Sequence, residues 1–369
     1  MNPMQRYLIL EDGTAFAGTG FGASIVSSGE LVIQTGMTGY QETITDKVNT
    51  GCIIAFTVPT VGLVGVNRDN YESIDPSIRG VVVNELAHVT AHQGGKMSLA
   101  DFLDQLGIPG ITQIDVRALR RHIDATGPQK ASIVDAADEH AFDQLRALVL
   151  PHNQVQQVST ERPYPSPGTG RNIVVVDFGL KHSLLREFAV RDCNLTIVPA
   201  TTTAERILNL DPDGVVLSDG PGDPEDSQGA LPMISGIQEH LPLLSIGLGY
   251  ELFAMANGAT TKRLAHEHHG LNFAVREVAT GRIDITSHDH SFTVDPASLE
   301  HNEELLITHL NILDQTVEGL RHRRFPAYGV QFQPEGAPGS NDADHVLTEF
   351  MELIDAEKDK AGKEATRYE

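Results

Sequence analysis

Cysteine is almost absent from these 369 residues. Only Cys52 and Cys193 occur, which excludes a disulfide framework and a cysteine-based zinc site and suits a reducing compartment. Basic residues are also scarce: 27 Lys and Arg against 50 Asp and Glu leave a formal charge of −23, so no surface that tracks nucleic-acid phosphates is expected. No run of about 18 apolar residues exists. The start, MNPMQRYLIL, lacks the charged, apolar and small-residue regions of a signal peptide. A soluble, cytoplasmic protein with neither nucleic-acid nor membrane partner is the expectation, and at roughly 150 residues per domain the length predicts two domains. There is no internal repeat.

The stretch Glu161 to Gly170 (ERPYPSPGTG) is crowded with turn-formers and has no apolar period. It reads as a linker over 156–171 between a first domain, 1–155, and a second, 172–357, with a charged tail at 358–369. Short β-like runs dominate the first part, at Tyr7 to Leu10, Gly29 to Gln34 and Cys52 to Val58. Helices are expected from Ser98, a plausible N-cap, to Leu106, and from Asp115 to Ala125, which makes the class α+β. After the linker, strands rich in Val, Ile and Leu alternate with helices of about ten residues. The strands read as 172–177, 195–198, 214–218 and 242–246, and the helices as 183–190, 204–208, 228–240 and 250–257. This pattern predicts a doubly wound, mostly parallel α/β sheet whose ligands sit beyond the carboxyl ends of the strands. From Ala356 the charged tail is expected to be a frayed helix end.

Two glycine-rich segments leave those ends. In Ser218 to Pro224 (SDGPGDP), Gly220 and Gly222 allow close backbone approach and point amides at a ligand, while the prolines stiffen the turn. Standing alone, the segment is more simply a tight strand-to-helix turn. Leu243 to Glu251 (LLSIGLGYE) has the layout of a nucleophile elbow: a buried strand, an abrupt turn and a helix opening on small residues. The clusters His266 to His269 (HEHH) and His288 to His290 (HDH) have spacing that zinc could use. Sixteen histidines make short clusters unsurprising, however, and no metal site is expected.

At the elbow the sequence resembles the class I glutamine amidotransferases, whose motif there would read Gly-x-Cys-x-Gly-His-Gln. Further segments narrow the resemblance to the small subunits of carbamoyl phosphate synthetase: Thr35 to Glu42 (TGMTGYQE), Val174 to Gly179 (VVVDFG) with Lys181 and His182, Leu217 to Pro224, Thr308 and His309 with Asn311, and Pro334 and Glu335 with Pro338 and Gly339. The similarity runs from about Tyr7 to Ile354. The resemblance implies a fold of an N-terminal α+β domain that meets a large subunit, followed by a class I glutamine amidotransferase domain. It implies a chemistry in which a cysteine thiolate attacks glutamine, a His with a Glu partner acts as base, and backbone amides hold the oxyanion. Ammonia would pass to the large subunit, which uses ATP and Mg to make carbamoyl phosphate; this chain itself needs no cofactor. The segment His268 to Gly270 matches a family segment without a metal role.

The sequence departs from this pattern where the chemistry should be. Gly247 stands at the nucleophile position and Gln333 at the base position, and neither a hydrogen nor an amide can do the work required. Losing one member of such a pair can already cost about 10⁶-fold in rate. Glu335 remains as an orienter with nothing to orient. By motif alignment Tyr250 and Glu251 replace His and Gln, Asp219 replaces Asn, and Asp289 and Ser291, in the segment ending at Phe292, replace Asn and Gly. Three amides have become carboxylates, so glutamine is expected to bind weakly or not at all. The substrate pocket implied by the resemblance comprises Gly36, Gly220, Gly222, Leu248, Glu251, Asp289, Ser291 and Phe292, with the glycine loops and Gly249 still able to form the oxyanion cradle. Glycine at the apex would also relax a strained backbone. Ser245, Cys193 and Cys52 are poor substitutes as nucleophile, Ser245 pointing into the sheet and Cys52 packing in a core.

The sequence thus reads as a small subunit that supports carbamoyl phosphate synthesis from ammonia but cannot hydrolyse glutamine. The alternative is a regulatory or ligand-sensing pseudoenzyme.

Overall fold

A computed structural model describes residues 4–87 and 95–365, the last five as main chain only. Two units divide it: Met1–His152 with Ala265–Leu271, and Asn153–Leu264 with Asn272–Glu369.

The first unit is built on a closed barrel. Its strands are β1 (Gln5–Leu10), β2 (Ala15–Gly22), β3 (Ser27–Gln34), β4 (Cys52–Phe56), β6 (Gly80–Val82), β8 (Pro109–Thr112) and β9 (Lys130–Val134), ordered β1-β2-β8-β6-β4-β3-β9, while β5 (Thr60–Val61) and β7 (Glu85–Leu86) pair separately. Alternation along each strand explains the closure. Leu8 and Leu10 of β1 join Leu31, Ile53, Val82, Ile111 and Ile133 in one core. Ile9 between them packs the other way, with Val134 and Leu145. The helices are α1 (Tyr40–Thr45), α2 (Leu99–Gln105), α3 (Val116–Thr126) and α4 (Glu139–Ala147). Ser98 and Asp115 cap α2 and α3 as their sequence suggests, accepting the N–H groups of Asp101 at 3.1 Å and Ala118 at 2.9 Å.

The second unit holds the helices α5 (Gln154–Val158), α6 (His182–Val190), α7 (Ala204–Leu208), α8 (Leu231–Gln238), α9 (Leu248–Ala256) and α10 (His345–Ala365). Its strands are β10 (Tyr164–Ser166), β11 (Asn172–Asp177), β12 (Asn194–Pro199), β13 (Gly214–Leu217), β14 (Leu243–Ile246), β15 (Thr261–Glu277), β16 (Ile283–Val294), β17 (Leu305–Asn311), β18 (Val317–His322) and β19 (Ala327–Val330). The sheet order is β10-β12-β11-β13-β14-β19-β18-β16-β15-β17. The run from β12 to β19 is parallel, and the flanking pairs are antiparallel. Helices cover both faces, which is why the interior of β11, Ile173 to Val176, is apolar. Val174 and Val176 face a core with Ile234, Ile237, Leu252 and Phe253 of α8 and α9. Ile173 and Val175 face another with Leu184 and Phe188 of α6 and Leu347 and Phe350 of α10.

Two expectations change. The stretch read as a linker belongs to the second unit: it contributes α5 and the edge strand β10, which pairs antiparallel with β12. Pro165 fits there because an edge position does not require its missing N–H. The tail read as frayed continues α10 to Ala365, and Lys358 fastens it to Asp213 at 2.7 Å; residues 366–369 lie outside the described residues. Among the described residues no helix is long and apolar enough to cross a membrane.

Candidate functional site

The elbow is present, and its apex has a positive φ that glycine adopts without strain. β14 ends at Ile246, and Gly247, with φ +54° and ψ −118°, turns the chain into α9. A residue with a side chain would pay about 1–3 kcal/mol in that backbone region. Strain is not the whole obstacle, because a β-carbon built on Gly247 overlaps Oδ1 and Cγ of Asp219. The aspartate fills the volume into which a nucleophile would project.

That carboxylate is held by backbone amides. Asp219 Oδ1 accepts the N–H of Gly220 at 2.8 Å and that of Leu248 at 3.0 Å. Both amides belong to the cradle expected for an oxyanion. The two amides expected to hold an oxyanion thus hold the chain's own Asp219 carboxylate oxygen. Gly220 itself is required by closeness, since a β-carbon there would overlap the Phe178 carbonyl. Gly222, at φ +96°, sits against Gln154, and Gly249 lets α9 approach Leu217 of β13.

Gln333 follows β19 and faces the same carboxylate, its Nε2 donating to Asp219 Oδ2 at 3.5 Å. Its Oε1 accepts from Lys181 Nζ at 3.0 Å, and its main-chain N–H donates to Ser287 of β16 at 3.0 Å. Lys181, just before α6, also donates to the Ala337 carbonyl at 2.8 Å and pairs with Glu335 Oε1 at 2.9 Å. Glu335 thus has a partner, contrary to the expectation of an idle orienter. A buried ammonium is thus held between Gln333 and Glu335. The sequence marks Lys181 only as part of a segment that carries the resemblance, since nothing in its neighbourhood shows that it turns inward toward residue 335.

Charge in the pocket is lower than three carboxylates imply. Burial pushes the Asp219 carboxyl up to about 6, against the pull of the Leu248 and Gly220 amides and the Lys181 ammonium. Glu251, buried on α9, is driven well above the ordinary carboxylate range by burial and then by the neighbouring Asp219 charge. Burial therefore works against the full negative charge expected there. Tyr250 is core, its hydroxyl donating to the Val317 carbonyl at 3.1 Å.

Asp289, Ser291 and Phe292 lie on β16, with the Arg263 guanidinium 5.7 Å from the Phe292 ring centroid. Gly36 belongs to the first unit, where its N–H donates to Gln34 Oε1 at 3.0 Å. The substitute nucleophiles are structural. Ser245 is fully buried with its hydroxyl on the Tyr328 carbonyl, Cys52 is buried in β4, and burial pushes the Cys193 thiol up, away from the reactive thiolate.

Comparison with known proteins agrees with this architecture. The family "Carbamoyl-phosphate synthase small chain, CPSase domain" matches residues 8–133, and "Glutamine amidotransferase class-I" matches residues 174–353. The carbamoyl phosphate synthase small chain of Streptococcus mutans is 53% identical over 97% of this chain and 99% of its own length. The pyrimidine-specific small chain of Lactiplantibacillus plantarum is likewise 53% identical, over 96% of this chain and 97% of its own. Among solved structures, a GMP synthase component from Thermoplasma acidophilum covers 53% of this chain and 98% of its own at 19% identity, with a TM-score of 0.44. With near-complete coverage by relatives at 53% identity, the chain belongs to the carbamoyl phosphate synthase small-chain family, its second half a class I glutamine amidotransferase domain.

Proposed function

We propose that this chain acts as a small subunit of carbamoyl phosphate synthase that does not hydrolyse glutamine, so that its complex with a large subunit draws on free ammonia. One observation carries this reading: the Asp219 carboxylate occupies both the space of the nucleophile and the two amides of the oxyanion cradle. A covalent intermediate needs that space and those donors together. Gln333, held between Lys181 and Asp219, offers no proton shuttle. Glutamine binding is weak or lost on this reading, since the floor of its pocket is already filled. ATP and Mg are the business of the large subunit, and this chain contributes scaffold and interface.

The test is carbamoyl phosphate formation by the purified chain mixed with its cognate large subunit, with glutamine or with ammonium as nitrogen source. Turnover with ammonium alone supports the reading. Comparable turnover with glutamine overturns it. Failure of the two chains to copurify overturns the subunit role and favours a free-standing regulatory protein.

A further inference from the structure

A second cluster lies within the same unit and plays no part in the elbow. His288 and His290, two apart on β16, share a strand face, and β18, the neighbouring strand, supplies Glu318. His288 Nδ1 is 2.9 Å from His290 Nε2 and 3.7 Å from Glu318 Oε2. All three donor atoms lie within 4.8 Å of one another.

The outer atoms of these side chains determine what the inner atoms offer. His290 Nδ1 is 2.6 Å from the Phe292 carbonyl, which only accepts, so the ring proton sits on Nδ1 and the lone pair on Nε2. The Thr286 hydroxyl lies 2.8 Å from His288 Nε2 and 3.1 Å from the Phe273 carbonyl, and so holds the outer edge of the His288 ring. His288 Nδ1 and His290 Nε2 face each other at hydrogen-bond distance. Glu318 Oε1 lies 2.7 Å from the Thr316 hydroxyl, whose single hydrogen also faces Asp314 Oδ1 at 2.8 Å, and Glu318 Oε2 lies toward the histidines. Two ring nitrogens and a carboxylate oxygen therefore converge, each side chain oriented by an outer hydrogen bond, as second-shell partners orient the ligands of zinc sites. The rings of Phe273 and Phe332, with centroids 4.7 Å and 6.1 Å from that of His288, wall the cluster with apolar surface.

From this convergence we propose that His288, His290 and Glu318 form a divalent-cation site selective for zinc. Two imidazoles and a carboxylate suit zinc, and three protein donors are its usual share where a position is kept for a further ligand. Tetrahedral zinc at about 2.0–2.1 Å from each donor separates them by roughly 3.3–3.4 Å. The 2.9 Å and 3.7 Å separations bracket that value, so a small rotation of either ring meets it. The proposal reverses the sequence expectation that these histidines serve no metal, and it stands apart from the glutaminase question.

The test uses the full chain stripped with a chelator and then titrated with zinc alone by calorimetry, with cobalt absorption as a second readout. One equivalent of zinc is expected, with affinity reduced at least about 100-fold in H288Q/H290Q and about 10–100-fold in T286V, which only loosens the His288 ring. The exposed pair H140Q/H301Q should leave the titration unchanged. If H288Q/H290Q does not fold, T286V and the tetrahedral cobalt bands of the wild type decide. Zinc binding that is equal in wild type and T286V, or that is removed by H140Q/H301Q, overturns the proposal. So does no binding at all, the result expected if a shared proton bridges the two rings.

Discussion

Lys181 Nζ lies 2.9 Å from Glu335 Oε1 in a pair whose side chains are only 3% and 2% exposed. The pair sits beside Gln333, so the charge that a catalytic His and Glu would handle is here locked into a permanent ion pair. Such a pair is costly to break from one side, because the surviving charge stays buried. E335Q and K181M should each lower stability by about 3–5 kcal/mol, whereas K181M/E335L should fall much closer to wild type. Denaturant unfolding of the three variants gives the comparison. Additive losses in the double variant would show that the two groups do not act as a pair.

Position 247 cannot be repaired alone. In G247C the new side chain meets the Asp219 carboxylate and takes on the backbone strain of φ +54°. No glutaminase activity and a loss of at least about 1–3 kcal/mol are expected. D219N weakens the hold on Gly220 and Leu248, because hydrogen bonds to a neutral acceptor are about half as strong as those to a charged one. In the D219N/G247C background, restoring a base with Q333H should raise glutamate release from glutamine about 10²–10⁴-fold. Activity in G247C alone would mean that Asp219 moves aside readily.

The elbow, the glycine loop and the absence of Cys and His at positions 247 and 333 were legible in the sequence, because each is a matter of residue identity within a strand-turn-helix pattern. The central strands were legible too, since burial on both faces leaves short runs rich in Val, Ile and Leu, as within Asn172–Asp177 and Leu243–Ile246. What identity does not carry is direction. Asp219 reads as one more pocket charge, and only its backbone position turns it back onto the amides of Gly220 and Leu248. Lys181 and Glu335, 154 positions apart, meet only once the sheet is formed. The antiparallel strands from Thr261 to His322 left no clear reading either, because charged and apolar residues mix along them and they lack the period of the parallel core.

Asp219 also imposes a pH dependence. Its folded-state pKa is raised from 3.8 to about 6 by burial, so the folded protein holds this proton more tightly than the unfolded chain. Between about pH 4 and 6 the contribution of this group to stability therefore falls as pH rises, and above 6 the penalty is complete, on the order of 3 kcal/mol. The carboxamide introduced by D219N accepts the same amide protons without ionising. D219N should exceed the wild type in stability at pH 7, and the gap should narrow as the pH is lowered toward 4. Thermal melts of both proteins across that range test it; a gap that is constant with pH would show that Asp219 does not titrate as described.

His309 acts in the opposite sense over an overlapping range. Burial against Phe332, whose ring it meets edge-on at 5.7 Å, lowers its pKa from 6.5 to about 4, and its Nε2 is buried without a hydrogen-bond partner. The unfolded chain binds this proton more readily than the folded one, so the contribution of His309 to stability is complete above pH 6.5 and is lost as pH falls toward 4. The span corresponds to about 3 kcal/mol as an upper figure. H309F keeps an aromatic ring against Phe332 and removes the titrating group. Its stability relative to wild type should therefore improve steadily between pH 6.5 and 4, while that of D219N declines over the same interval. Measuring the two variants side by side separates the contributions, since a general acid effect on the whole fold would move both differences in the same direction.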